Sequence, residues 1–278
     1  MPASRRPDPT GTRVPWPLGI PAAIGAAMLV VPFVALLVRA PWTSLGDILA
    51  GPEVAAALRL SLVCATLATL VSVVVGVPLA WFLARSRSRL VPLVRALVTV
   101  PLVLPPVVAG VALLMALGRT GVVGRLLDQW TGITLPFTTA GVVVAETFVA
   151  MPFLVISVES AFRAADRGLE QAARTLGAAP LTVFRRVTLP LTVPALLSGA
   201  LLSWARALGE FGATITFAGN FPGRTQTMPL AVYLALESDP DAAIALSLLL
   251  LGVCLVVLLC LRGRWLGGLG HGAAGELR

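Results

Sequence analysis

Ionisable side chains are rare in the apolar stretches of this chain, but two of them lie four residues apart. Arg206 and Glu210 interrupt the segment WARALGEFGATITFAGN. At this spacing both side chains fall on one face of a helix and can form an ion pair. An arginine inside a membrane span costs about 2.5 to 3.5 kcal/mol on insertion scales unless it is paired or hydrated. Two interpretations follow: a structural ion pair within the helix, or groups that line or gate a path through the membrane.

Other residue types that suit such a path lie nearby or in a second apolar segment. Glycines on either side of the acidic residue allow helices to approach closely. The sequence PLVLPP at residues 101–106 must break or kink a helix, and freed carbonyls in a membrane are tolerated only beside protein or water. A simple kink is the alternative for the proline segment. The candidate path or gate residues are Pro105, Pro106, Arg206, Gly209, Glu210, Gly212 and Thr214.

The sequence offers little for enzymatic chemistry. The three glutamates in or beside apolar stretches, Glu146, Glu159 and Glu210, are scattered rather than clustered, and we expect Glu146 to form hydrogen bonds between helices. The single histidine, His271, lies in a Gly-rich tail. The three cysteines lie inside apolar runs without the spacing of a metal site or disulfide framework. An intramembrane enzyme is therefore disfavoured, and we predict no catalytic residue, cofactor or metal in this chain.

The composition indicates that most of this chain lies in a membrane rather than in water. Hydrophobic residues make up 57% of the chain and charged residues only 12%, against about 25% charged in an average soluble domain. Six apolar segments approach or exceed the ~20 residues that a spanning helix needs. They cover residues 18–38, 60–84, 96–117, 133–158, 191–218 and 242–261. The sequence therefore predicts an all-α integral membrane protein with six transmembrane helices in one permease domain, 18–264, between a disordered segment, 1–17, and a flexible tail, 265–278.

The arginines predict the orientation of these helices. The chain contains 21 basic residues, all of them arginine. Fifteen lie in the N-terminal segment, in the loops after the second and fourth helices and in the tail, whereas five lie in the other connectors. Because cytoplasmic loops are enriched in basic residues, both termini and the loop after the fourth helix are predicted to be cytoplasmic. This asymmetry explains the net charge of +8 without a nucleic-acid partner.

The loop at residues 163–190 is the longest charged insertion between two spans. Leu169, Ala173 and Leu176 share one face of a predicted short helix, and Gly177 is suited to end it in a left-handed conformation. A second short helix is predicted from Pro180, and Pro190 is predicted to set the boundary before the fifth span. The loop is either an ordinary amphipathic surface segment or a docking site for a soluble protein.

The spacing in this loop resembles a known motif. Gln171-Ala172-Ala173, then Gly177, then Val187-Thr188-Leu189-Pro190 resembles the EAA motif of binding-protein-dependent ABC importer permeases. The resemblance implies the ABC importer permease fold and a loop that inserts into the ATPase subunit. The implied coupling residues are Asp166, Leu169, Glu170, Gln171, Ala172, Ala173, Gly177, Phe184, Val187, Leu189 and Pro190. Since Gln171 replaces the motif's glutamate, a charge contact there must shift by one position or become a neutral hydrogen bond.

A second resemblance concerns the substrate. The segment ARALGEFGAT, the segment FAGNFPGRTQTMPLAVY and the sequence PLVLPPVVAG resemble molybdate permease subunits, and sulfate and thiosulfate permeases share the first of these. The resemblance implies a homodimer, two ATPase subunits that use ATP and Mg, and an extracytoplasmic molybdate-binding protein, all at the prokaryotic cytoplasmic membrane in contact with lipid. The alternatives are a sulfate, thiosulfate or tungstate permease, or a secondary carrier. Without lysine, the chain cannot form a Walker sequence of its own.

Overall fold

The computed structural model describes residues 16–269, with side chains from 18 to 259. Regular structure in this range is helical throughout. The helices are Trp16–Val38 (α1), Leu45–Leu49 (α2), Pro52–Arg85 (α3), Val91–Val103 (α4), Pro106–Leu117 (α5), Gly124–Thr131 (α6), Thr139–Ala164 (α7), Arg167–Thr175 (α8), Pro180–Val183 (α9), Leu189–Leu208 (α10), Gly212–Ala218 (α11), Met228–Ser238 (α12) and Pro240–Leu269 (α13). A π-helical segment, Phe184–Thr188, joins α9 to α10. The predicted all-α membrane fold is confirmed.

Five helices of the described chain are long and apolar enough to cross a membrane. They are α1, α3, α7, the continuous helix Pro180–Leu208 and the segment Pro240–Leu259 of α13. With 34 residues, α3 is about 50 Å long at 1.5 Å per residue. That length exceeds the ~30 Å hydrocarbon core of a bilayer, so α3 either tilts or extends into the interfacial region.

The core forms where α7 packs between α3 and α10. Small side chains occupy one part of this contact, where Ala65, Ala68, Ala150 and Ala207 are all buried. Small residues let helix backbones approach closely, which favours packing in a membrane. Nearer the C-terminal ends of α3 and α7 the core is larger and aromatic: the Trp81 ring packs edge-on against Phe162, with 5.2 Å between centroids.

The third predicted span is not one helix. The chain is helical in α4 and α5, but Leu104 between them is extended, with φ −67° and ψ 129°. Pro105 imposes this conformation because the ring of a proline clashes with a helical residue before it. Pro106 then occupies the first turn of α5, where a missing N–H costs nothing. The predicted break at the proline segment is therefore confirmed, and the helix before it begins at Val91 rather than at residue 96.

The predicted single helix over 191–218 is wrong. α10 ends at Leu208 and α11 begins at Gly212. No proline causes this break. Instead the carboxylate of Glu210 accepts a hydrogen bond from the backbone N–H of Ala213, at 2.8 Å, and so caps the start of α11. The side chain replaces a backbone partner that the interrupted helix no longer provides.

Other helix boundaries differ from the predicted ones near polar residues. α3 begins at Pro52 rather than residue 60. The predicted start was too late because the first turns of α3 contain charged residues and therefore resemble a connector. α7 begins at Thr139 rather than 133, where the Thr138 hydroxyl accepts a hydrogen bond from Gly141 N–H at 3.0 Å. The connector 219–241 contains the unpredicted α12, whose first N–H, from Met228, donates to the Ser61 hydroxyl at 2.7 Å.

Both predicted terminal segments lie mostly outside the described residues. In the predicted disordered segment 1–17, residues 16 and 17 belong to α1, and 1–15 are not described. In the predicted flexible tail 265–278, residues 265–269 continue α13, and 270–278 are not described.

Candidate functional site

The charged loop folds as a short capped helix. The carboxylate of Asp166 accepts a hydrogen bond from Gly168 N–H at 2.7 Å and caps the start of α8. At its end Gly177 has φ +83°, the left-handed conformation that glycine adopts without strain. Gly177 N–H donates to Arg174 O at 2.9 Å and Ala178 N–H to Ala173 O at 3.0 Å. These are the two bonds of a Schellman motif, and the left-handed helix end predicted at Gly177 is confirmed.

The two faces of α8 have opposite chemistry, and the apolar face is turned outward. At 100° per residue, Arg167, Glu170, Gln171 and Arg174 form one face, and these residues line a cavity shared with the end of α3. The opposite face carries Leu169, Ala172, Ala173 and Leu176. Leu169 is 49% exposed and Leu176 88% exposed. Glu170 is the buried residue of α8, and a helix that exposes leucines in this way is suited to contact another protein.

Glu170 fixes α8 to the rest of the molecule. Its side chain is buried, and Oε1 lies 2.5 Å from Nη2 of Arg85 at the C-terminal end of α3. The Thr188 hydroxyl donates to the same oxygen at 3.0 Å. Gln171 is exposed. The carboxylate that pairs with an arginine here is thus that of Glu170, one position before Gln171, and its partner lies within the same chain.

The second half of the loop is helical without interruption, but the regular α-helix α10 begins at Leu189, with Pro190 in its first turn. Pro190 therefore lies at the start of the fifth span, as predicted, although the chain stays helical through it. Leu189 N–H bonds to Phe184 O, five residues earlier. This wide turn accommodates Pro190, which has no N–H and would clash with the carbonyl four residues before it in a regular α-helix. Phe184 packs inward, 4.9 Å from the Trp81 ring. Val187 and Leu189 are half-buried, so this half faces the membrane domain more than α8 does.

A second ionic cluster lies at the same end of α3. Glu159 on α7 accepts hydrogen bonds from Arg95 at 2.8 Å and from Arg163 at 2.9 Å. Both arginines also donate to Leu83 O, near the end of α3. The free carbonyls of a helix C-terminus attract such cations. The basic loops after the second and fourth predicted spans therefore meet at one end of the molecule.

The second site is the break between α10 and α11. Arg206 Nη1 lies 2.5 Å from Glu210 Oε2, so the predicted i,i+4 pair is formed. Glu210 is buried, while the Arg206 side chain is partly accessible. The carboxylate thus holds both sides of the break: it binds the last turn of α10 through Arg206 and the first turn of α11 through Ala213 N–H.

The two broken helices touch at their breaks. A Cβ on Gly212 would lie 2.7 Å from Pro106 Cβ, closer than real contacts allow. A Cβ on Gly110 of α5 would lie 2.6 Å from Thr216 Cβ and 2.9 Å from Ala213 O. α5 and α11 therefore pack with backbones in contact. Non-helical backbone at membrane depth is found beside protein or water, and here two such segments lie together.

The remaining path candidates differ in position. Pro105 and Pro106 lie on the surface of the single chain, whereas Thr214 is fully buried and its hydroxyl has no hydrogen-bond partner. Gly209 faces a groove between α12 and α13 and does not mediate a close helix approach.

Glu146 is buried, and its Oε2 makes no hydrogen bond. The expected hydrogen bonding of Glu146 between helices is therefore absent at this atom.

The loop between α11 and α12 buries polar side chains, which the sequence did not predict. Thr225, Gln226 and Thr227 are buried just before α12. The loop turns at Gly219 and Gly223, both with positive φ. Phe221 N–H donates to the Thr225 hydroxyl at 2.9 Å. The buried hydroxyl of Thr227 has no partner. The recurring Gly, Asn and Thr in GNFPGRTQT indicated a turn, but not that the threonines would be buried.

No cluster of three metal-ligating side chains occurs among the described residues. The polar groups of both sites are arginines, carboxylates, hydroxyls and backbone amides. Such groups can pair charges, cap helices and bind anions.

Comparisons with known proteins identify relatives of this chain among transport proteins of the membrane. Residues 76–266 match the family described as "Binding-protein-dependent transport system inner membrane component". The chain is 50% identical over 248 residues to the "Molybdenum transport system permease protein ModB" of Mycobacterium bovis, covering 89% of this chain and 94% of that protein. It is 36% identical over 245 residues to the "Sulfate transport system permease protein CysT" of Salmonella typhimurium, covering 87% and 88%.

A solved structure has the same fold. It belongs to a bacterial ABC transporter involved in the import of the acidic polysaccharide alginate. The TM-score is 0.75, with 18% identity, and the match covers 90% of this chain and 94% of that chain. At this identity the match concerns the fold alone.

Proposed function

Because the chain belongs to the family of binding-protein-dependent transport system inner membrane components, we propose that it is the permease subunit of an ATP-driven molybdate importer. It is a multi-pass protein of the cytoplasmic membrane. It carries no ATPase site, because a chain without lysine cannot form a Walker sequence. ATP and Mg are used by a separate ATPase subunit.

The observation that carries the choice of molybdate is similarity over nearly the whole chain. Identity to the Mycobacterium bovis molybdenum permease is 50%, against 36% to the sulfate permease. Molybdate and sulfate are both tetrahedral dianions, so a pore that passes one need not reject the other. Discrimination between them, and from tungstate, resides in an extracytoplasmic binding protein. Sulfate or thiosulfate remains the alternative substrate.

The outward apolar face of α8 is the surface that meets the ATPase. Leu169 and Leu176 are exposed in the loop between two spans, and a groove on the ATPase would bury them. Glu170 and Asp166 act within the chain: they fix the orientation of α8 and cap its start. Movement of the ATPase would then pass through α8 to Arg85 and the end of α3. The positive-inside rule supports a cytoplasmic location for this end and for both termini.

The translocation path runs beside the two helix breaks. Pro105 and Pro106 are exposed on the single chain, and a second copy packed against α5 would cover them. The path would then form between two copies, with two ATPase subunits below and the binding protein above. Arg206 is paired with Glu210, so its charge is partly neutralised. This arrangement favours passage of an anion over its retention, because an unpaired arginine would hold a dianion tightly.

Uptake by a reconstituted system tests the proposal. The chain is placed in liposomes with its ATPase and a candidate binding protein, and uptake of molybdate, tungstate and sulfate is measured with ATP inside. We expect ATP-dependent molybdate uptake that requires the binding protein. Uptake without ATPase would indicate a secondary carrier, and preference for sulfate would establish the alternative substrate.

A further inference from the structure

A small polar cavity lies between the C-terminal end of α3 and the charged face of α8. Its volume is about 260 Å³. Its charged lining consists of Arg85, Arg87, Arg167, Arg174 and Glu170, and Gln171 adds an amide. A bulk water molecule occupies about 30 Å³, so the cavity has room for a small polyatomic anion together with water.

The charges around this cavity do not balance. Arginine is always protonated, so four cations face one carboxylate. That carboxylate is already engaged by Arg85 and Thr188. Among the described residues, no ion pair or side-chain hydrogen bond is formed by Arg87, Arg167 or Arg174. These three cations are therefore available to a ligand.

Arg85 also has unused donors. Its side chain is only 14% exposed, and the Trp81 ring lies 5.4 Å from its Cζ. Only Nη2 is used by Glu170, and Nε and Nη1 are buried without partners. Buried donors are normally satisfied by protein or by bound ligand and water. A guanidinium with free donors beside three unpaired ones is a donor set suited to bind an anion.

We infer that this cavity is a binding site for a tetrahedral oxyanion of phosphate type. Guanidinium groups match such anions because their planar N–H forks bind two oxygens at once. Two sources have this chemistry: a free inorganic oxyanion, and the phosphate of a phospholipid headgroup at the membrane surface. The site lies against the inner face of α8, so an occupant would brace the helix from the side opposite its leucines. This inference concerns binding to the chain itself and does not depend on the proposed transport function.

Binding to the purified full chain tests the site. In one arm, delipidated protein in neutral detergent is dialysed against inorganic phosphate or molybdate, and bound anion is counted. In the other, nanodiscs of anionic or purely zwitterionic phospholipid are compared by native mass spectrometry for retained lipid. We expect about one anion or phospholipid per chain. The arm that gives saturable binding identifies the source.

Two exposed arginines provide variants that leave the fold intact. Arg87→Gln and Arg174→Gln each remove one cation from the cavity, and we expect each to weaken binding about tenfold. Arg89→Gln is the matched control, because Arg89 is exposed on the same connector but does not line the cavity. Absence of saturable binding in both arms would overturn the inference, as would equal binding by the two variants, the control and the unmodified chain.

Discussion

Arg85 Nη2 and Glu170 Oε1 lie 2.5 Å apart, although 85 positions separate the two residues in the chain. The contact joins the end of a spanning helix to a helix whose apolar face is exposed. Glu170 stands immediately before the position where the family motif has its glutamate. The acidic group therefore works from the adjacent position and stabilises the orientation of α8 inside the chain, while Gln171 remains exposed.

Removing the charge of Glu170 should weaken the coupling between ATP hydrolysis and transport. We expect Glu170→Gln to reduce ATP-dependent uptake at least tenfold, because removing one partner of a buried ion pair costs about 3 to 5 kcal/mol and leaves Arg85 uncompensated. The measurement is uptake in liposomes beside the ATPase activity of the assembled complex. Gln171→Glu is the matched control and should retain uptake, since that side chain is exposed. If Gln171→Glu fails while Glu170→Gln transports normally, the assignment of Glu170 is wrong.

The left-handed end of α8 gives a second prediction. Gly177→Val should abolish transport while the chain still inserts and purifies normally, because φ +83° is strained for a β-branched residue. No neighbouring atom would clash with the new Cβ, so the effect is conformational rather than steric. Gly177→Asn should retain a substantial part of the activity, since asparagine tolerates this conformation. Loss of insertion in Gly177→Val would make the loop a folding element instead.

The ion pair at the helix break can be separated into structural and transport roles. Glu210→Ala removes both the charge and the cap on α11, and we expect the thermal stability of the detergent-solubilised chain to fall clearly. Glu210→Gln keeps an acceptor for Ala213 N–H and should be less destabilising. The double variant Arg206→Gln with Glu210→Gln removes both charges. Near-normal stability with lost uptake in the double variant would indicate a transport role, and near-normal uptake would indicate a structural pair.

The sequence was informative wherever local chemistry decides the structure. Uninterrupted apolar runs identified the long helices, Gly177 identified the end of α8, and the proline segment identified the break before α5. Each of these depends on a few adjacent residues. The spacing of Arg206 and Glu210 likewise predicted their contact, because i,i+4 neighbours meet in any helix.

The sequence did not predict features that depend on distant or competing partners. Nothing near Arg85 indicates that it pairs with Glu170, because that contact exists only after α3, α7 and α8 have packed. Pro190 is a sound local signal for a helix boundary, yet the π-helical turn before it keeps the helix continuous. The break after Leu208 has no proline and depends on whether the Glu210 side chain caps α11 or points outward.

The close contact between the two helix breaks can be tested by adding one methyl group at Gly212. In Gly212→Ala the new Cβ would lie 2.7 Å from Pro106 Cβ and 3.1 Å from Val107 N, so α5 and α11 must separate. Overpacking of this kind costs about 1 to 3 kcal/mol, and we expect a lower melting temperature and reduced uptake. Gly209→Ala is the matched control, because its Cβ would meet only Ala205 O at 3.6 Å. Equal stability of the two variants would contradict the close packing of α5 on α11, whereas a selective defect in Gly212→Ala would support it.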